Sequence, residues 1–337
     1  MEKNKPRSSS LINWKFWLGL LISGIFLFLA VRNVDLIKTW HVIRSANPVF
    51  LLYAVLFQMV HYIFRALRWG VLLQPIRETR FINRFNSTVI GFAANCVLPA
   101  RLGEFIRANY LGQSENVSKS SAFGTVVVER FFDGFTLLLI LVIGLMGTVF
   151  PEEWQKMALK LRSTGFVLFA GYILVISMLA AFKNKSDFFL TQLNKFLFFL
   201  SRKSRQKILD IIQNFSQGLI LLQTPTGWFK AVSFSILLWF IALCQVQLVE
   251  YSLGISLSFI AAFIILAMGS LGVIIPSSPG FIGTYHLAVQ YGFIFYNIHK
   301  EEALSAAIIL HATFFFPTIL FGLISFLSMQ GNFKKAK

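Results

Sequence analysis

Arg101, Glu104 and Arg107 recur at intervals of three, and Glu129, Arg130 and Asp133 follow inside a run that is otherwise apolar. Residues three and four apart share a helix face. The spacing predicts that the first trio lines one side of a short helix. It also places Glu129 and Asp133 one turn apart on a longer one. The six charges cancel, Arg101, Arg107 and Arg130 against Glu104, Glu129 and Asp133. His61, Arg65 and Arg68 form a third set at helical spacing. If Arg65 and Arg68 point at the same cavity as the others, it carries a surplus of two positive charges. Guanidinium groups bind phosphate through paired N–H donors and stay charged when partly desolvated. Such a cavity suits a phosphate-bearing lipid head, with the carboxylates orienting the arginines. Two plainer readings stand beside this one. The set could be an ion-pair network that pins helices together. Arg65 and Arg68 could instead extend to the polar interface at the end of their span.

A second group of residues breaks helices. Pro99 and Gly103 interrupt one apolar segment, and Pro276, Pro279, Gly280 and Gly283 interrupt another. The second break also carries Ser277, Ser278, Thr284, Tyr285 and His286. Proline and glycine free backbone polar groups, and the hydroxyls lie ready to meet them. A helix starting after Gly280 would aim its first N–H groups at an anion. His286 and His311 could carry protons, although a membrane histidine more often only hydrogen-bonds. No metal-ligand set, cofactor motif or Walker-type phosphate loop is recognisable, so metal and cofactor are both expected to be none. Cys96 and Cys244 lie far apart in apolar segments and give no disulfide framework.

The elements that must position these residues follow from composition. The chain has 337 residues, 56% hydrophobic and only 13% charged, and its 38 phenylalanines fall mostly in long apolar runs. A soluble protein of this size needs a charged surface that these residues cannot supply. The sequence therefore reads as an all-α polytopic membrane protein. The net charge of +17 sits mostly between apolar runs, as loops on the positive side of a membrane do. That distribution, without any finger or aromatic platform, argues against nucleic acid as a partner.

Expected spans run from Trp14 to Val31, Val49 to Leu73, Ser121 to Phe150, Gly165 to Phe182, Trp228 to Glu250 and Leu304 to Met329. The first could pass for a signal peptide, but no small-residue cleavage site follows it. The stretches 85–112 and 259–298 are broken, and read as re-entrant hairpins they leave six spans; crossing separately, 259–275 and 281–298 give eight. Both numbers put the two basic tails on one side, the cytoplasmic face of a cell membrane. Residues 183–226 mix aromatics with lysine and arginine, as helices lying on that face or packed against the protein do. Val97 to Gly103 aligns with Ile274 to Gly280, pairing Pro99 with Pro276, and each is followed by a span opening Ser-Ala. The whole chain then reads as one domain with inverted, repeat-like halves, about 49–150 and 228–329.

The segment Leu98 to Arg107, the Glu129-Arg130-Phe131-Phe132-Asp133 element and Pro279 to Gly283 resemble the lysylphosphatidylglycerol synthase transmembrane-region family. This is the flippase-like membrane domain of the multiple peptide resistance factor, also found as stand-alone membrane proteins. The resemblance covers nearly the whole chain. It implies a protein that moves or handles lipids, an anionic phospholipid or a polyisoprenoid phosphate. Other members accompany glycosyltransferases or isoprenoid-lipid pathways. Lys337 comes eight residues after the last span, so no synthase domain and no lysyl transfer are expected. His286 stands where the family often has a carboxylate. The leading reading is a lipid translocator, not an enzyme and without ATP hydrolysis of its own. The alternatives are a scaffold for a separate glycosyltransferase or lipid synthase, and a membrane enzyme acting on a lipid phosphate with Glu129 or Asp133 as base.

Overall fold

The computed structural model describes residues 10–98, 101–148, 155–184, 191, 194–197, 202–217 and 225–335, and all its regular elements among them are helical. Helix α1 (Ser10–Val31) bends by 84° into the short α2 (Leu36–Ser45), which the sequence reading did not anticipate. Asp35 starts α2 by accepting the amide hydrogens of Ile37 and Lys38. Helix α3 (Pro48–Leu73) follows, with the Asn47 side chain capping Val49 N–H at 2.9 Å and Pro48 in the first turn.

The first break gives a helical hairpin, α4 (Phe81–Val97) and α5 (Gly103–Glu115), and leads to the long α6 (Lys119–Gly147). Then come α7 (Gln155–Asn184), the amphipathic α8 (Arg202–Gln217) and α9 (Pro225–Ser252). The second hairpin is α10 (Phe259–Ile274) and α11 (Thr284–Ile294), joined through a single 3-10 turn at Pro279–Phe281. Helix α12 (Lys300–Lys335) closes the described chain. Among the described residues, α3, α9 and Lys300–Gln330 of α12 are each long and apolar enough to cross a membrane, and α1 with α2 adds a bent fourth. Helix α6 is 29 residues long but carries Lys119, Glu129, Arg130 and Asp133.

Packing between the two hairpin regions is reciprocal. α3 lies along α9. α4 packs on α12, and α10 packs on α6. The approach of α4 to α12 is close because Gly322 has no side chain to meet Ala93. Each hairpin is also tight at its own base. A Cβ on Gly103 would collide with the carbonyl of Gly91, and one on Gly272 would lie 2.8 Å from that of Thr284. Left-handed asparagines end both hairpins, Asn116 at φ 52° and Asn297 at φ 60°. Asparagine tolerates this conformation, which closes a helix C-terminus.

The described part of the 183–226 segment favours packing on the protein. α8 contacts α6, with Ile208 and Leu209 half-buried and Ile211 exposed. Phe188 and Phe189 lie outside the described residues, as does Pro99.

Candidate functional site

The charged residues converge where α3, α5 and α6 meet. Glu129 is wholly buried and holds three arginines. Its Oε1 receives Arg68 at 2.9 Å and Arg65 at 3.3 Å, and its Oε2 receives Arg107 at 2.8 Å. Asp133, one turn on, meets Arg68 at 2.7 Å, Arg65 at 3.1 Å and Arg130 at 3.2 Å. Glu104 pairs with Arg130 at 2.6 Å. Arg65 Nε donates to His61 Nε2 at 2.8 Å, which fixes the unprotonated nitrogen of that ring. Arg68 is fully buried and also donates to the Ser235 hydroxyl on α9. The two residues thus turn into the protein, and the reading that extends them to an interface does not hold for Arg68.

Arg101, Glu104 and Arg107 do not share a helix face, because α5 begins at Gly103 and Arg101 precedes it with φ 54°. A side chain held in the left-handed region costs of order 1–3 kcal/mol and is common at ligand clamps. Freed from the helix, Arg101 reaches across to the second hairpin and donates to the Val273 carbonyl at 3.3 Å. It has no carboxylate within ion-pair range among the described residues, unlike Arg65, Arg68, Arg107 and Arg130.

Several partners escaped the sequence reading. The Asn95 side chain accepts the first N–H of α5, from Gly103 at 2.8 Å, and donates to Glu104 at 3.3 Å. It is a polar residue in the apolar 85–98 stretch, and that was the signal available. Phe92 lies between two guanidiniums, 4.6 Å from Arg65 and 5.4 Å from Arg130. Trp69 lies under Arg107 at 4.0 Å and donates its ring N–H to Thr125 at 2.9 Å. Cation–π contact of this kind offsets part of the desolvation of a buried arginine. Nothing in the sequence marked these two among so many aromatics. Glu250 is buried near the end of α9 with no ion-pair partner among the described residues, and Gln247 donates to it.

The second break is arranged differently from the expectation. α11 begins at Thr284 rather than just after Gly280, because the 3-10 turn intervenes. His286 accepts the Gly283 N–H at 3.4 Å, and His311 Nε2 lies 2.7 Å from the Gly280 carbonyl. Their rings are 4.7 Å apart. Both histidines hold the backbone of the break. Ser278 bonds Ser23 of α1, Ser277 accepts from Thr284, and Tyr285 packs on His311.

Between the hairpins lies a cavity of about 250 Å³. His61, Arg65, Arg101, Glu104 and Arg130 line it with polar and charged groups, and Phe92, Trp239, Tyr285 and Phe314 form apolar walls. The eight charged residues of the site comprise Arg65, Arg68, Arg101, Arg107 and Arg130 against Glu104, Glu129 and Asp133, a surplus of two positive charges.

A UPF0104 membrane protein of Methanocaldococcus jannaschii is 25% identical over 94% of this chain and 96% of its own length. One of Pyrococcus horikoshii is 22% identical over 90% and 95%. The glycosyltransferase AglD of Haloferax volcanii is 23% identical over 93% of this chain, which spans 54% of that protein. Residues 16–322 match the family described as Lysylphosphatidylglycerol synthase TM region, and the chain belongs to that family of integral membrane domains.

Proposed function

We propose that this protein moves a lipid with an anionic, phosphate-bearing head between the leaflets of a cell membrane. The observation that carries the reading is the cavity between the hairpins, where arginines outnumber carboxylates and Arg101 has no ion-pair partner among the described residues. Buried charges are costly in a membrane and are placed where they meet a partner or a substrate. Glu129 and Asp133 are each occupied by three arginines, which favours an orienting role over base chemistry on a lipid phosphate.

We further propose that the hairpins are re-entrant and belong to inverted halves of a single domain. The reciprocal packing of α4 on α12 and α10 on α6 supports this. So does a shared order of backbone features. A left-handed residue follows two positions after Pro99 (Arg101) and two after Pro279 (Phe281), and left-handed Asn116 and Asn297 end the hairpins. These features pair Pro99 with Pro279, three residues beyond the Pro276 of the sequence alignment. Six full crossings then put both termini and α8 on the cytoplasmic side.

The test is leaflet movement of labelled phosphatidic acid, phosphatidylglycerol and a polyisoprenoid phosphate in proteoliposomes, with and without a pH gradient or potential. Wild type is expected to move at least one of them, and Arg101→Ala is expected to abolish the movement in folded protein. No movement under any condition would refute the reading. A second reading, a membrane partner of a separate glycosyltransferase or lipid synthase, is favoured by the relative named as a glycosyltransferase, about half of which this chain spans. It expects no lipid movement, and loss of the associated enzyme's output when exposed residues of α8 are changed.

A further inference from the structure

The central cavity does not end at Arg101. A second cavity of about 480 Å³ lies beyond it, between α1 and the second break. Asn95, Arg101, Val273 and Phe281 line both, so a single layer of side chains separates the two. The chemistry changes across that layer. On the far side the wall is mostly apolar, Leu18 and Ile22 of α1 with Leu98, Ile274 and Pro276, and its polar groups beyond the shared layer are the hydroxyl-bearing Ser277 and Ser278. Leu18 and Ile274 are 45% and 55% exposed, which opens this cavity sideways to the surroundings. α1 is fixed as its outer wall. Ser23 accepts the Ser278 N–H at 2.8 Å, and Gly19 lets the Ser277 carbonyl approach.

The partition itself is made of unusual backbone. Arg101 and Phe281 both stand in the left-handed region, one from each break. The Arg101–Val273 contact, at 3.3 Å to a neutral carbonyl, is weaker than a paired bond to an anionic phosphate would be. The central cavity, at about 250 Å³, falls below the ~300–1,000 Å³ usual for sites that enclose a whole small ligand. It has room for a head and not for a chain.

We propose that the cavity beside α1 holds a hydrocarbon tail of the lipid whose phosphate-bearing head sits on the central arginines, with Arg101 at the point where head and tail part. This rests on the proposed function and adds the lateral route by which the tail stays in an apolar environment while the head is enclosed. When phosphate takes Arg101 from Val273, the layer between the cavities opens at that contact.

The test uses the full chain in detergent with a long-chain phosphatidic acid carrying a diazirine in its acyl tail. Dihexanoyl phosphatidic acid serves as the short-chain probe. Photolysis is expected to label α1 near Leu18 and Ile22 and the 273–276 segment. Ile22→Trp, which fills the cavity, is expected to weaken long-chain binding about tenfold while short-chain binding stays unchanged. Phe28→Trp, on the exposed side of α1, is the control and should bind both as wild type does. Bound lipid whose label falls elsewhere would overturn the tail site and leave the headgroup reading standing. Equal weakening of both probes by Ile22→Trp would overturn it as well. Binding of neither probe to wild type would overturn both readings. If Ile22→Trp does not fold, the wild-type labelling map alone decides.

Discussion

Glu129 and Arg101 differ in what their loss should do. Glu129→Gln keeps the shape of the side chain but leaves the buried Arg107 without its carboxylate and Arg68 with Asp133 alone. Breaking a buried pair in this way costs about 3–5 kcal/mol. A large fall in thermal unfolding temperature in detergent is expected. Asp133→Asn should cost less, because Arg65 and Arg68 keep Glu129 and Arg130 keeps Glu104. Arg101→Ala gives up one hydrogen bond and keeps the same left-handed backbone, so its stability should change by no more than about 1.5 kcal/mol. Ranking the three variants by unfolding temperature checks the order; an Arg101→Ala as damaging as Glu129→Gln would make Arg101 a structural residue. The sequence disclosed the charges and the one-turn spacing of Glu129 and Asp133. It did not disclose that Arg101 leaves the helix, because the left-handed turn is set by how the break packs, not by the residue type.

Glycines decide how closely the arms of each hairpin approach. Gly103→Ala places a methyl group against the Gly91 carbonyl, and Gly272→Ala does the same against Thr284 and Ala288. Overpacking of this kind costs about 1–3 kcal/mol. Gly171→Ala, in α7 with open space around it, should instead stabilise by up to about 1 kcal/mol. Opposite shifts in unfolding temperature are the expected result. Helices and their breaks were legible from apolar runs and from proline and glycine. The 3-10 turn before α11 was not, since Gly280 and Gly283 both permit a left-handed residue and only packing against Phe315 and Ser23 chooses their geometry. α2 was missed because its basic residues read as a loop, while Asp35 supplied the cap and Ser305 the docking bond to Thr39.

For the whole molecule, the proposed inverted arrangement makes a direct prediction. Asn116→Cys and Asn297→Cys lie at equivalent hairpin exits, so a membrane-impermeant maleimide should reach them from opposite sides of the membrane. Labelling from the same side would exclude the inversion. The two Pro/Gly breaks were visible in the sequence, but their geometry was not: a proline marks where a helix cannot continue, not where the chain turns left-handed. The reciprocal packing also bears on biosynthesis. The face of α4 that contains Ala93 waits for Gly322 of α12, which leaves the ribosome after the other described helices. The first hairpin, made early, is therefore completed late, and during translation it must persist with one flank open. Chains severed between Asn184 and Arg202 should accumulate when both pieces are produced together and be degraded when either is produced alone. Each half then serves as the folding template of the other.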